Sequence, residues 1–148
     1  MFWSLEFRSY NMYQYKHSLR VRYGETDQMG FVYYGNYAQY FEVGRVEALR
    51  NIGIVYSELE KDGIMLPVLD LNLRYYKPAH YDQLIDIYVT IDQLPGAKIK
   101  FDYIIKDESS NILVKGSTNL VFVNKKNGKP MRAPSWIIDK LSMFFNEK

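Results

Sequence analysis

Residues 36–51 read Asn36-Tyr37-Ala38-Gln39-Tyr40-Phe41-Glu42-Val43-Gly44-Arg45-Val46-Glu47-Ala48-Leu49-Arg50-Asn51. Tyr37, Phe41, Gly44, Ala48 and then Ile52 recur at helical spacing, while Tyr40, Val43, Val46 and Leu49 fill further directions. Polar residues keep only a narrow strip. A helix that is apolar around most of its circumference is one that other structure wraps. Asn36, with Gln39 three residues on, reads as an N-cap with a capping box. Gly53 reads as the stop.

Working outward, His17, Leu19, Val21 and Tyr23 alternate with Ser18, Arg20 and Arg22, which predicts a strand with one buried face. A loop rich in Gly, Asp and Tyr, Gly24 to Gly35, joins it to the helix. Downstream comes a short helical turn near Ser57 to Asp62. Four strands follow: Leu69 to Tyr76, Ile85 to Ile91, Ile99 to Ile105, and a long one from Ile112 to Asn124 that Gly116 interrupts. Pro95-Gly96, Asp107 to Asn111 and Asn127-Gly128 supply turns. A small helix with Trp136, Ile137, Leu141, Phe144 and Phe145 on its apolar side ends the pattern. Strands that run together after a helix predict an α+β fold, with a meander curled around the long helix. Residues 1–14 read as a lead-in or tail, and residues 15–148 as a single domain.

The chain has 148 residues, 47% hydrophobic and 24% charged, which fits one globular domain and excludes a disordered or collagen-like chain. Nineteen basic and 17 acidic side chains leave a net charge of +2, too small and too evenly spread for a nucleic-acid partner. There is no Cys, so disulfides, thiolate metal sites and a Cys nucleophile are excluded. His17 and His80 are the only histidines and lack metal-ligand spacing. No segment predicts a membrane span or a signal peptide, and a cytoplasmic location is expected. The 14 Tyr and 8 Phe predict half-buried walls, a cleft or a subunit interface.

The densest run of unusual residues is Asp27-Gln28-Met29-Gly30-Phe31-Val32-Tyr33-Tyr34-Gly35-Asn36-Tyr37, at the mouth of the long helix. Helix N-termini offer unpaired N–H groups that stabilise an oxyanion on an attacked carbonyl. A nearby carboxylate attacks that carbonyl or activates water. Gly30 and Gly35 let the backbone approach a ligand. The competing reading is that Asp27 caps a turn and the glycines serve the bend.

The pattern Asp-x-x-Gly-x-Val-x-x-x-x-Tyr, filled by Asp27, Gly30, Val32 and Tyr37, resembles the signature of hotdog-fold acyl-CoA thioesterases of the 4-hydroxybenzoyl-CoA thioesterase and YbgC-like family. Phe41-Glu42, Arg45, Glu47 and Leu49-Arg50 resemble the family's central helix, and Tyr76-Lys77-Pro78-Ala79 with Asp82-Gln83-Leu84 its next landmark. The resemblance spans roughly Tyr15 to Val123. It implies a five-stranded antiparallel sheet around one long helix. It also implies homodimers or homotetramers with active sites between subunits, and hydrolysis of acyl- or aroyl-CoA without metal or cofactor. By the same resemblance Asp27 is the catalytic carboxylate, and backbone N–H groups near Tyr34 polarise the carbonyl. Tyr34 stands where YbgC-like members usually carry His, and is closer there to the 4-hydroxybenzoyl-CoA branch.

Tyr23, Tyr33 and Tyr37 are read either as acyl-pocket walls or as core. Glu42 is read as a site residue or as the partner of Arg45, Glu47 as a site residue or as the partner of Arg50, and Glu25 as a solvated loop acid. His17 is expected to be structural and His80 to be exposed. Arg74, Lys77, Lys98, Lys100 and Lys115 are candidates for the phosphates of CoA. The competing functions are a non-catalytic acyl-CoA-binding hotdog module, against which the intact Asp27 and Gly30 argue, and a hotdog dehydratase, against which the lack of a loop His argues.

Overall fold

The structure, a computed structural model, describes residues 11–145. Its elements are β1 (Tyr13–Arg20), α1 (Tyr37–Asn51), α2 (Tyr56–Lys61), β2 (Ile64–Met65), β3 (Val68–Tyr75), β4 (Leu84–Ile91), β5 (Lys98–Asp107), β6 (Ile112–Val121), β7 (Val123–Asn124) and α3 (Ser135–Ser142). Alternation builds the sheet. Ile85, Ile87, Val89 and Ile91 on β4, and Ile99, Phe101, Tyr103 and Ile105 on β5, are all buried, with their neighbours more open. The five strands lie in the order β1-β4-β5-β6-β3, each pair antiparallel. Helix α1 packs across β1 and β4 on the buried face. This is the hotdog arrangement that the resemblance implies.

Two glycines let the layers close up. A Cβ on Gly44 would stand 2.7 Å from Ile87 Cγ2 and 3.0 Å from Val89 Cγ2, so the helix backbone lies directly on β4. A Cβ on Gly116 would meet Phe41 Cε2 at 2.5 Å. The Phe41 ring fills that space and stacks on Tyr103, centroids 4.1 Å apart and planes 4° from parallel. The helix ends as Gly53 predicts. Gly53, at φ +87°, donates to Arg50 O and Ile54 donates to Leu49 O, a Schellman motif.

Several expectations change. The first strand begins at Tyr13, so Tyr13 and Gln14 belong to the sheet rather than to the lead-in; residues 1–10 of that lead-in lie outside the described residues. The strand ends at Arg20, and the chain turns at Tyr23–Glu25, which leaves Tyr23 out in solvent against Tyr81. Only β4, β5 and β6 form the meander. β3 crosses to the far edge to pair with β6, and β1 pairs with β4. Gly116 does not interrupt β6, which instead stops at Val121. Val123 and Asn124 form a separate pairing with Ile64 and Met65. Asn36 makes no capping bond: it lies in a short 3₁₀ turn, Tyr34–Asn36, that runs into α1. Arg45 does not pair with Glu42; it is buried and donates to the Tyr103 hydroxyl at 3.4 Å. Glu47 and Arg50 do meet, at 3.3 Å.

Candidate active site

The loop before α1 is closed on itself by backbone hydrogen bonds and by the Asp27 side chain. Asp27 N–H donates to Phe31 O, Gly30 N–H to Asp27 O, and Thr26 bridges Val32, which makes a tight hairpin tip. Gly30 supplies the φ of +83° that this tip needs. Oδ1 of Asp27 accepts from Met29 N–H at 2.9 Å and Phe31 N–H at 3.2 Å. Oδ2 makes no hydrogen bond among the described residues. The carboxylate is therefore aimed by the turn yet exposed in the protomer. Both the turn-capping reading and the catalytic reading use the same geometry, one oxygen each.

Glu25 anchors the base of this loop and is not the solvated acid that its position suggests. Its side chain is only 12% exposed. It accepts from Arg22 N–H, from the Arg22 guanidinium at 2.6 and 2.9 Å, and from the Tyr40 hydroxyl at 2.8 Å. Burial pushes the Glu25 carboxyl up, but the Arg22 backbone, its guanidinium and the Tyr40 hydroxyl outweigh it, and the pKa falls below its ordinary value. Burial first, and then the Glu25 carboxylate, hold Tyr40 well above the usual phenol range. The Glu25 carbonyl takes two further bonds, from Tyr33 N–H at 2.9 Å and Asn36 Nδ2 at 2.8 Å. This is where the Asn36 side chain goes instead of capping the helix.

Val32, Tyr34 and Tyr37 line one cleft together with Tyr75, Tyr76, Lys77 and Pro78; its volume is about 250 Å³. The predicted landmark Tyr76-Lys77-Pro78-Ala79 is the second wall. Ala79 is fully buried. Its O accepts from Val32 N–H at 2.9 Å, and its N–H donates to the Tyr37 hydroxyl at 3.0 Å. Burial raises the Tyr37 pKa, against the lowering effect of that N–H. Tyr75 meets Tyr37 and Tyr34 edge-on, and its hydroxyl donates to Tyr34 O at 3.2 Å. The Tyr34 and Gly35 N–H groups have no partner among the described residues.

Other predicted residues fall around this cleft rather than in it. Tyr33 is half exposed and packs its ring against Tyr34 at 4.8 Å. Glu42 sits about a turn and a half beyond Tyr37, exposed and outside the lining. Arg74 lies on β3 beside Tyr76. His17 is half-buried in β1; His80 is exposed and packs its ring on Phe31 at 5.1 Å. Tyr75 was legible only as strand alternation, whereas Tyr76 belonged to the predicted landmark; Tyr75 reaches the cleft through its contacts with Tyr34 and Tyr37. No group of three metal-ligating side chains comes together among the described residues, and no described helix is long and apolar enough to cross a membrane.

Comparison with known proteins gives the lineage. The family model of the thioesterase-like superfamily matches residues 21–141. The chain is 36% identical over 129 residues to the Bacillus subtilis protein named "Putative acyl-CoA thioesterase YneP", covering 84% of this chain and 94% of that one. It is 28% identical over 120 residues to the Escherichia coli acyl-CoA thioester hydrolase YbgC, covering 81% and 90%. It superposes on a solved Staphylococcus aureus DHNA-CoA thioesterase with a TM-score of 0.81 at 32% identity, covering 88% of this chain and 91% of that one. The stretch matched by the family model takes in the Asp27 hairpin, the helix it feeds and four of the five strands of the sheet, and the chain belongs to the thioesterase-like superfamily.

Proposed function

We propose that the chain hydrolyses acyl- or aroyl-CoA thioesters. One observation carries this reading. The exposed, turn-held Asp27 carboxylate stands in the loop that leads directly to the unpartnered Tyr34 N–H at the cleft. In the reaction, the thioester oxygen accepts from that N–H. Asp27 either attacks the carbonyl, giving a mixed anhydride that water opens, or takes a proton from the attacking water. The CoA thiolate leaves and is protonated, and the free acid departs. Gly30, Val32, Tyr33 and Tyr37 shape the approach of the acyl group, and Arg74 serves the CoA end. Glu42 belongs to the same reading as a binding residue only across a subunit boundary, because it lies outside the cleft of its own protomer.

The working unit is proposed to be a homodimer, or a tetramer built from dimers. Strand β3 ends the sheet with one edge unpaired among the described residues, and Val68, Leu69, Leu71 and Tyr75 on it are 44–51% exposed. Apolar side chains on an open strand edge favour a second copy. Tyr75 joins that edge to the cleft, which supports a site at the junction of two chains.

Thiol release from a panel of acyl- and aroyl-CoA substrates, measured for the wild type and Asp27→Asn, tests the reading. Turnover in the wild type that collapses in the variant supports it. Tight acyl-CoA binding with no turnover on any substrate supports a non-catalytic binding module instead. Oδ1 of Asp27 is already committed to two backbone N–H groups, which is the observation that keeps this second reading in play.

A further inference from the structure

Arg74 on β3 and Lys115 on β6 are directly opposite each other across the strand pair. Like charges in that position repel. Both cations lean on one ring: Arg74 Cζ is 5.7 Å and Lys115 Nζ 5.9 Å from the centroid of Tyr76. Neither forms an ion pair among the described residues, whereas Lys100 has Asp102 at 3.7 Å. The residues beside them in the ladder, Asn72 and Ser117, are neutral. Lys77 follows Tyr76 in the chain and lines the same cleft. The carboxylate of Asp107, which acts on Lys77 from a distance, is already held by Ser109 N–H, Asn111 N–H and Asn111 Nδ2. Tyr76 attracts both cations without neutralising either. The result is a pair of positive charges held together with no ion-pair partner among the described residues, at the rim of the cleft that reaches Tyr34.

Resting on the thioesterase reading above, we propose that Arg74, Lys115 and Tyr76 form a docking platform for the phosphorylated nucleotide end of coenzyme A. The platform makes the protein select a CoA thioester over the same acyl group carried on phosphopantetheine alone or on a carrier protein. A phosphate group set between a guanidinium and an ammonium relieves their repulsion and takes charge-assisted hydrogen bonds from both. Tyr76 fixes the distance between the two cations, and Lys77 continues the positive rim towards the cleft. The selected feature is the adenosine phosphate, remote from the reacting carbonyl, so its contribution enters through KM.

The test uses the full chain and two thioesters with the same acyl group, one on CoA and one on pantetheine, together with calorimetric titration of CoA itself. In the wild type the CoA thioester is expected to have at least tenfold the kcat/KM of the pantetheine thioester, the gap lying in KM and shrinking with added salt. In Arg74→Ala/Lys115→Ala that ratio is expected to fall at least tenfold, and CoA binding to weaken to match. Both side chains are exposed, so the variant keeps the fold. Equal loss on both thioesters, CoA binding untouched by the variant, or wild-type preference for an acyl group on a carrier protein would each overturn the platform. Absence of turnover on every thioester, with CoA binding still weakened by the variant, removes the hydrolase reading and leaves the platform standing.

Discussion

The Tyr40 hydroxyl, on α1, donates to Oε1 of Glu25 at 2.8 Å and so ties the helix to the root of the hairpin that carries Asp27. Fifteen residues separate the two in sequence. Without this bond the hairpin would be held to α1 chiefly through Asn36 and the backbone.

Tyr40→Phe removes that bond and leaves Glu25 with Arg22 alone. A hydrogen bond to a charged group contributes about 1.5–3 kcal/mol, so a loss of about 1.5 kcal/mol is expected. Denaturant unfolding measures it. Hydrogen exchange should at the same time speed up across Thr26 to Val32. An unchanged midpoint would mean that Asn36 and the backbone hold the hairpin without the Tyr40 bond.

Glu25 makes stability depend on pH in a definite direction. Its folded pKa lies below the ordinary value of 4.5. The stabilisation is therefore complete above the ordinary value and is lost as pH falls through the lower folded one. In thermal melts taken from about pH 5 downward, the wild type should lose stability more steeply than Glu25→Gln. Parallel curves would show that Glu25 contributes nothing specific.

Asp27→Asn keeps an oxygen in the Oδ1 position, so the turn to Met29 and Phe31 survives. The variant should melt as the wild type does. Its kcat should fall about 10²-fold or more, the scale for a lost acid–base group. Near-normal turnover would leave Asp27 as a turn cap and nothing else.

Gly44→Ala sets two effects against each other. Ala in place of a mid-helix Gly gains about 1 kcal/mol. The added methyl must force apart Ile87 and Val89, which costs typically about 1–3 kcal/mol in a packed core. The second effect wins because the contact is with branched side chains of the central sheet. A lower melting temperature is expected, and a raised one would show that β4 yields easily.

Arg45 is a buried guanidinium with no ion-pair partner among the described residues. Its Nε, and the nearby Tyr56 hydroxyl, have no hydrogen-bond partner among the described residues. Replacing a buried ion pair by well-packed hydrophobic residues is often stabilising by about 1–4 kcal/mol, and a lone buried guanidinium carries the desolvation cost without the pair's attraction. Arg45→Met should raise the denaturation midpoint, while Tyr103 keeps its 2.7 Å bond to Thr118. A large drop instead would show that the hydroxyls of Tyr103 and Tyr56 hold the charge better than their geometry indicates.

Long-period signals were the legible ones. The wrapped helix, its stop at Gly53 and the alternation of β4 and β5 all survive in three dimensions. Short-range signals misled where a distant group competed for the same atoms. Asn36 and Gln39 match a capping box, but Asn36 reaches the Glu25 carbonyl instead. Glu42 and Arg45 match a surface pair, but the side chain of Arg45 finds the Tyr103 hydroxyl under the sheet. Glu25 gave no local sign of its role because its partner Tyr40 is a helix away. Two-residue strands such as Ile64–Met65 are too short for any period to show. In the candidate site, the loop wall and the Tyr76-Lys77-Pro78-Ala79 wall of the cleft were both legible in the sequence. Tyr75 was not, because its place beside Tyr34 and Tyr37 depends on how β3 lies against the loop in three dimensions.

The strand order also sets a timetable for synthesis. β1 and β3 are the two borders of the sheet, and among the described strands each pairs with one made later: β4 for β1, β6 for β3. A ribosome therefore releases both borders and the helix before it makes the middle. β3 waits with its apolar side chains unclaimed until Ile112–Val121 leaves the exit tunnel. A nascent chain stopped short of β6 would carry that unmatched strand, which makes it a ready client for chaperones and a seed for aggregation.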